Sequence, residues 1–174
     1  MESASYDVLG KPQVIVDAAV WLDYYTDRLG TAHMIATLFD EIDRRGGMIL
    51  TSVITMADVF SLLSEYLRDE VMGAGQEANR AACSASAWGC VRQLRERSVI
   101  VGADLGDTLE AEYLRQAHDD FKDNLLIAAA KRGKANAILT NNEELLRRAP
   151  IISISVERLY GLLVLGEGSS DVDI

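Results

Sequence analysis

Residues 123–142 read DNLLIAAAKRGKANAILTNN. A carboxylate opens a run carrying six apolar residues, Leu125 to Ala130, and Gly133 stops it. A second apolar run, Ala137–Leu139, closes on Thr140, Asn141 and Asn142. The first run predicts a helix over Asp123–Arg132, with Gly133 marking its end. The second reads as a short buried strand. Helices alternating with wholly apolar strands belong to a parallel sheet covered on both faces.

The same alternation extends outward in both directions. Upstream, Gln13–Val16 reads as a strand stopped by Asp17, followed by helices over Ala18–Tyr25 and Thr31–Arg45 that end at Gly46-Gly47. Met48–Thr51 is a second strand and Ile54–Arg68 a helix with a broad apolar face. Gly73 and Gly75 break the pattern before a long helix over Gln76–Arg97 rich in small residues. Val99–Val101 is a third strand and Thr108–His118 a helix. Downstream, the pattern predicts a short helix over Asn142–Arg148, a fifth strand over Ile151–Ile154 and a last helix over Val156–Leu165. The expected architecture is one three-layer α/β/α domain over residues 13–165 with a five-stranded parallel sheet. An N-terminal extension, 1–12, precedes it and an acidic flexible tail, 166–174, follows.

The totals agree with one soluble domain: 174 residues, 49% hydrophobic and 25% charged. No apolar run has the length of a membrane span. The first residues lack a basic segment followed by an apolar one, so a cytoplasmic protein is expected. Cys83 and Cys90 would stand ~10 Å apart along one helix, too far to bridge, and read as buried free thiols. The formal net charge of −10 repels nucleic acid at long range. A nucleic-acid substrate would therefore need a local basic rim or a metal ion.

In open α/β sheets, sites form beyond the carboxyl ends of the strands. Asp17 ends the first strand, and Asp58 lies seven residues past the end of the second. Thr140, Asn141 and Asn142 end the fourth strand, and Asp119, Asp120 and Asp123 precede or open the helix leading into it. Each has a local structural explanation. Asp17 could cap the helix at Ala18, and Thr55-Met-Ala-Asp58 matches a capping box. Asp120 or Asp123 could cap the apolar helix, and Asn142 the short one. Caps, however, need only a polar side chain. Aspartate at three positions on one rim creates like-charge repulsion that a divalent cation removes, and hard oxygen ligands suit Mg²⁺ or Mn²⁺.

VIVDAAVWLDYY around Asp17, TSVITMADVFSLL around Asp58 and DFKDNLLIAAAKRGKANAILTNNEEL around Asp123 and Asn142 together resemble the PIN domain family of metal-dependent ribonucleases. The resemblance runs from about Gln13 to Leu159. It implies one or two Mg²⁺ or Mn²⁺ ions activating water for attack on an RNA phosphodiester. By the same resemblance, Asp17 and Asp123 are direct metal ligands, and Asp58 ligates metal or orients water. Asn142 coordinates through its carbonyl or holds a water, and Thr140 orients Asp17. Asp120 stands as a further ligand or an exposed cap, with the cap favoured. Asp58 is shorter than the family's usual glutamate by one C–C bond, ~1.5 Å. Asn142 is neutral where many members carry aspartate. Both departures keep open an alternative, a weakly active or inactive PIN-like binding module. The active reading includes the toxin of a toxin–antitoxin pair, with RNA as substrate, an antitoxin as protein partner and a homodimer as assembly.

Among the remaining residues, Lys122 adjoins the proposed site and could meet a substrate phosphate. Trp21, Tyr24 and Tyr25 could stack on bases, but core packing or a subunit contact is the favoured reading. His118 reads as a surface histidine, and the arginine and lysine clusters as solvated helix ends. The small-residue face of Gln76–Arg97 suits either a dimer contact or packing within the chain. A phosphoacceptor receiver is disfavoured because no lysine follows the fifth strand, and dinucleotide binding because no glycine-rich turn follows the first.

Overall fold

The computed structural model describes residues 8–71, 77–116 and 118–166. Most of the expected tail, most of the N-terminal extension and the break at Gly73 and Gly75 lie outside the described residues. Five strands form one all-parallel sheet: β1 Gln13–Val16, β2 Met48–Ser52, β3 Val99–Val101, β4 Ala137–Leu139 and β5 Ser153–Ile154. Their order across the sheet is β3-β2-β1-β4-β5. The helices are α1 Ala18–Thr26, α2 Ala32–Arg44, α3 Val53–Tyr66, α4 Glu77–Arg97, α5 Leu105–Leu114, α6 Phe121–Arg132, α7 Glu143–Arg148 and α8 Val156–Tyr160. A π-helical turn extends α3 through Leu67–Val71, and another extends α8 through Gly161–Leu165.

The strands are mostly apolar because both of their faces are covered. Alternate side chains serve two cores, as the period of two in a strand requires. Val14, Val16, Ile49, Ala137 and Leu139 join Trp21, Ile35, Leu38, Phe39, Val59, Leu94 and Leu159 on one face. Ile15, Leu50, Val101 and Ile138 join Leu114, Leu126, Ile127, Ala130 and Leu145 on the other. This is the expected three-layer α/β/α architecture. The chain fills β1, β2 and β3 outward on one side, then returns to lay β4 on the opposite side of β1. That reversal makes the carboxyl ends of β1 and β4 the switch point of the sheet, where a crevice opens. Backbone bonds lock its floor: Asp17 N donates to Leu139 O at 3.0 Å and Thr140 N to Ile154 O at 3.1 Å.

Several element limits differ from those read in the sequence, and caps account for most of the differences. The α3 helix is capped by Ser52, whose Oγ accepts from Thr55 N at 2.9 Å. The expected capping box at Thr55–Asp58 is therefore not the helix start, and Asp58 lies a turn inside. Expected over Thr108–His118, α5 begins earlier and ends at Leu114, because Asp104 and Asp107 form a reciprocal capping box at its start. Asp120 caps α6, which starts at Phe121, two residues ahead of Asp123, and accepts from Lys122 N and Asp123 N.

Gly47 is where the chain runs tightest between α2 and β2. A Cβ at this position would drive into the Pro12 carbonyl oxygen, which already accepts from Met48 N at 2.8 Å. The Pro12 carbonyl is backbone fixed next to the β1–β2 pairing, so it cannot step aside cheaply. Gly47→Ala is expected to lower stability by about 1–3 kcal/mol. Urea denaturation reads this as an earlier midpoint at unchanged slope; an unaltered midpoint would show that the segment before β1 yields freely.

Candidate active site

Asp17 follows β1 and occupies the N-cap position of α1, yet its side chain makes no capping hydrogen bond. Its Oδ2 instead accepts from Thr140 Oγ1 at 2.7 Å. Thr140 is fully buried at the end of β4, and its hydroxyl also accepts from Asn142 N at 3.0 Å. An ionised carboxylate only accepts, so the hydroxyl gives its proton to Asp17. Burial pushes the Asp17 carboxyl above its ordinary range. The Thr140 bond and the nearby amides of Ala18 and Ala19 oppose that shift, and the negative charge of Asp123 adds to it.

Asp123 lies in the first turn of α6. Its Oδ2 receives His118 Nε2 at 2.8 Å and Asn142 Nδ2 at 3.0 Å. Both bonds fall on the same oxygen, leaving Oδ1 outside them. Burial raises this carboxyl too, the bond to His118 counters it, and the charge of Asp120 raises it further. Asn142 caps α7 with its own carbonyl, accepting from Glu144 N at 2.9 Å. Its amide group is thus directed at Asp123 by the helix it starts.

His118 is 3% exposed, which corrects the surface reading of the sequence. Its carbonyl accepts from Asn124 Nδ2 at 2.7 Å, drawing the segment before α6 inward. An ionised carboxylate only accepts, so Nε2 carries the proton towards Asp123. The other ring nitrogen, Nδ1, is buried without a hydrogen-bond partner, with Glu144 Oε1 at 3.8 Å. His118 is therefore a positioning residue for Asp123.

Asp58 projects from α3 and pairs with Lys122 Nζ at 2.7 Å, and the Lys122 ammonium is held more firmly protonated by that partner. Asp120 serves as the α6 cap, the favoured reading from the sequence. Trp21 is fully buried, so it packs in the core and is not open to bases.

Asp17, Asp58, Asp120, Lys122, Asp123 and Asn142 all line one cleft of about 430 Å³ at the β1/β4 crevice. Two further lining residues went unremarked in the sequence, the buried Asp23 and its partner Arg28. Their spacing crosses the end of α1 and a left-handed residue, Asp27, so no helical periodicity links them. Among the described residues, no three His, Cys, Asp or Glu side chains stand close enough to form a ready-made metal cage. Lys122 holds the third carboxylate. The donor chemistry of the remaining pair fits a divalent cation: two partly buried carboxylates, one raising the other's pKa, each steadied by neutral or histidine donors.

The sequence profile of the PIN domain matches residues 13–144, and the chain belongs to the PIN domain family. Members of this family are typically nucleases and generally use divalent metal ions. Two solved structures share the fold. One is the Rickettsia felis VapBC2 structure, bound to a DNA fragment from its promoter. It has 14% identity and a TM-score of 0.56 over 82% of this chain and 97% of that one. The other is PAE2754 from Pyrobaculum aerophilum, with 16% identity and a TM-score of 0.57 over 95% of this chain and 99% of that one. No curated protein matches the sequence significantly.

Proposed function

We propose that the protein is a ribonuclease dependent on Mg²⁺ or Mn²⁺ that hydrolyses RNA phosphodiester bonds, acting in the cytoplasm as the toxin of a toxin–antitoxin pair. The observation that carries this reading is the Asp17–Asp123 pair, two partly buried carboxylates lining the cleft at the switch point of the sheet, each held by its own donor network. A bound divalent cation supplies an activated water and neutralises charge developing on the phosphate. Asp17 and Asp123 would hold it, with Asp58 joining once Lys122 lets go. Thr140 fixes the Asp17 carboxylate, and His118 and Asn142 fix Asp123 through one oxygen. Lys122, released from Asp58, is free to meet a phosphate. An antitoxin partner and a homodimer belong to the same reading; the fold shared with VapBC2 supports looking for the first.

A second reading, a PIN-like binding module without activity, draws support from the Lys122–Asp58 contact and the absence of a three-acid cage among the described residues. Cleavage of a labelled RNA with Mn²⁺, with EDTA, and in Asp17→Asn and Asp123→Asn variants separates the two. The ribonuclease reading expects cleavage that stops on chelation and in both variants. RNA left intact by the wild type at saturating Mn²⁺ would favour the binding module, and cleavage surviving in both variants would exclude this site.

A further inference from the structure

Asp23 is 1% exposed, yet it is an acid lining the wall of an already acidic cleft. A carboxylate taken out of water requires a partner. It finds one in Arg28, whose Nε lies 2.6 Å from Asp23 Oδ1. Burying a carboxylate to make an ion pair is a poor way to stabilise a fold, since well-packed apolar residues do as well or better. The pair does fix where a guanidinium points. Asp23 holds one edge of the group through Nε, and the Arg28 side chain remains 42% exposed at the cleft. Among the described residues, that bond is the arginine's single hydrogen bond, so its two terminal amino groups remain available. The other cation lining the cleft, Lys122, is engaged by Asp58.

We propose that Arg28, braced by Asp23, is a substrate-binding residue that receives a backbone phosphate of RNA lying in the cleft. The inference rests on the ribonuclease reading and adds to it the contact that offsets the repulsion of a chain with net charge −10. Guanidinium offers paired donors matched to two phosphate oxygens, and Asp23 orients that fork before substrate arrives. Arg28 comes from the loop after α1, within the reach of the same chain segment that carries Asp17.

The test measures binding of a fluorescent single-stranded RNA to the Asp17→Asn protein in Mg²⁺, over a series of salt concentrations, alongside steady-state cleavage by the otherwise wild-type enzyme. Losing one phosphate contact lowers the slope of log affinity against log salt by about 0.7 for a single strand. Arg28→Gln is expected to show that change, about tenfold weaker binding and a matching rise in KM at unchanged kcat. Arg28→Lys keeps the charge and the slope but loses part of the affinity. Because Arg28→Gln strands the buried Asp23 carboxylate, the double variant Asp23→Asn/Arg28→Gln is measured beside it; it carries the same slope change with no unpaired acid. Slope and KM that match the parent in the double variant, while the wild type cleaves RNA, would overturn the Arg28 assignment alone. A wild type that neither cuts RNA nor, as Asp17→Asn, binds it would overturn the ribonuclease reading and this inference together.

Discussion

Asp17→Asn is expected to reduce RNA cleavage by at least about a hundredfold while raising the melting temperature. The two effects share one cause. Burial and the charge of Asp123 make the ionised Asp17 carboxylate unfavourable in the folded chain. Asparagine removes that charge and still offers an oxygen to the Thr140 hydroxyl. The pH dependence follows from the direction of the shift. A carboxyl raised in the folded state binds its proton more tightly there than in the unfolded chain. Its contribution to stability is thus lost as pH rises from the ordinary carboxylate range through the raised value. Thermal unfolding followed by circular dichroism, from the ordinary carboxylate range upward in pH, should show a shallower decline for Asp17→Asn than for the wild type. Cation affinity runs the opposite way, increasing as pH rises through that window, because the ion displaces the proton. A variant that melts well below the wild type, or that still cleaves, would deny Asp17 this role.

Trp21→Ala is expected to cost roughly 3–5 kcal/mol, a fall in melting temperature of about 10 °C or more for a domain of this size. Trp21 is fully buried one turn into α1 and sits at the centre of an aromatic cluster. Its ring centroid lies 5.1 Å from Phe39, 5.9 Å from Tyr24 in an edge arrangement and 6.1 Å from Tyr25 in a stacked one. Its indole nitrogen donates to Thr51 Oγ1 at 3.2 Å, joining α1 to β2. Alanine removes the ring and leaves the fully buried Thr51 hydroxyl without that donor. The Trp21 amide bonds back to the Asp17 carbonyl at 3.3 Å, so the cavity lies within a helical turn of the cleft. Trp21→Phe keeps most of the volume and should cost no more than about half as much. Urea titration of both variants checks the order; equal midpoints for wild type and Trp21→Ala would mean the cluster contributes little.

The sheet was readable because its strands are short and mostly apolar, and because Asp17, Gly102 and Thr140 directly follow three of them. Val99–Val101 and Ala137–Leu139 match the structure residue for residue. The α5 limits were not readable, because the expected helix opened only at Thr108, whereas Asp104 and Asp107 form a capping box ahead of it. Asp17, Asp58, Asp123 and Asn142 could be picked out by their positions after strands and helices. Their partners could not. The contact between Asp58 and Lys122 spans 64 positions in the chain. His118 precedes two exposed acids in sequence, and its buried place shows only in its bonds to Asp123 and to the Asn124 side chain. Arg28 follows a left-handed residue beyond the end of a helix, where periodicity carries no information about direction.

Lys122 already occupies Asp58 before any ion arrives. A chelator-treated sample is consequently not destabilised at that acid by bare repulsion, and loading it exchanges one positive neighbour for another. Dye-based melting screens, which respond to the net gain, will under-report ion uptake here, whereas electron paramagnetic resonance of free Mn²⁺ counts it directly.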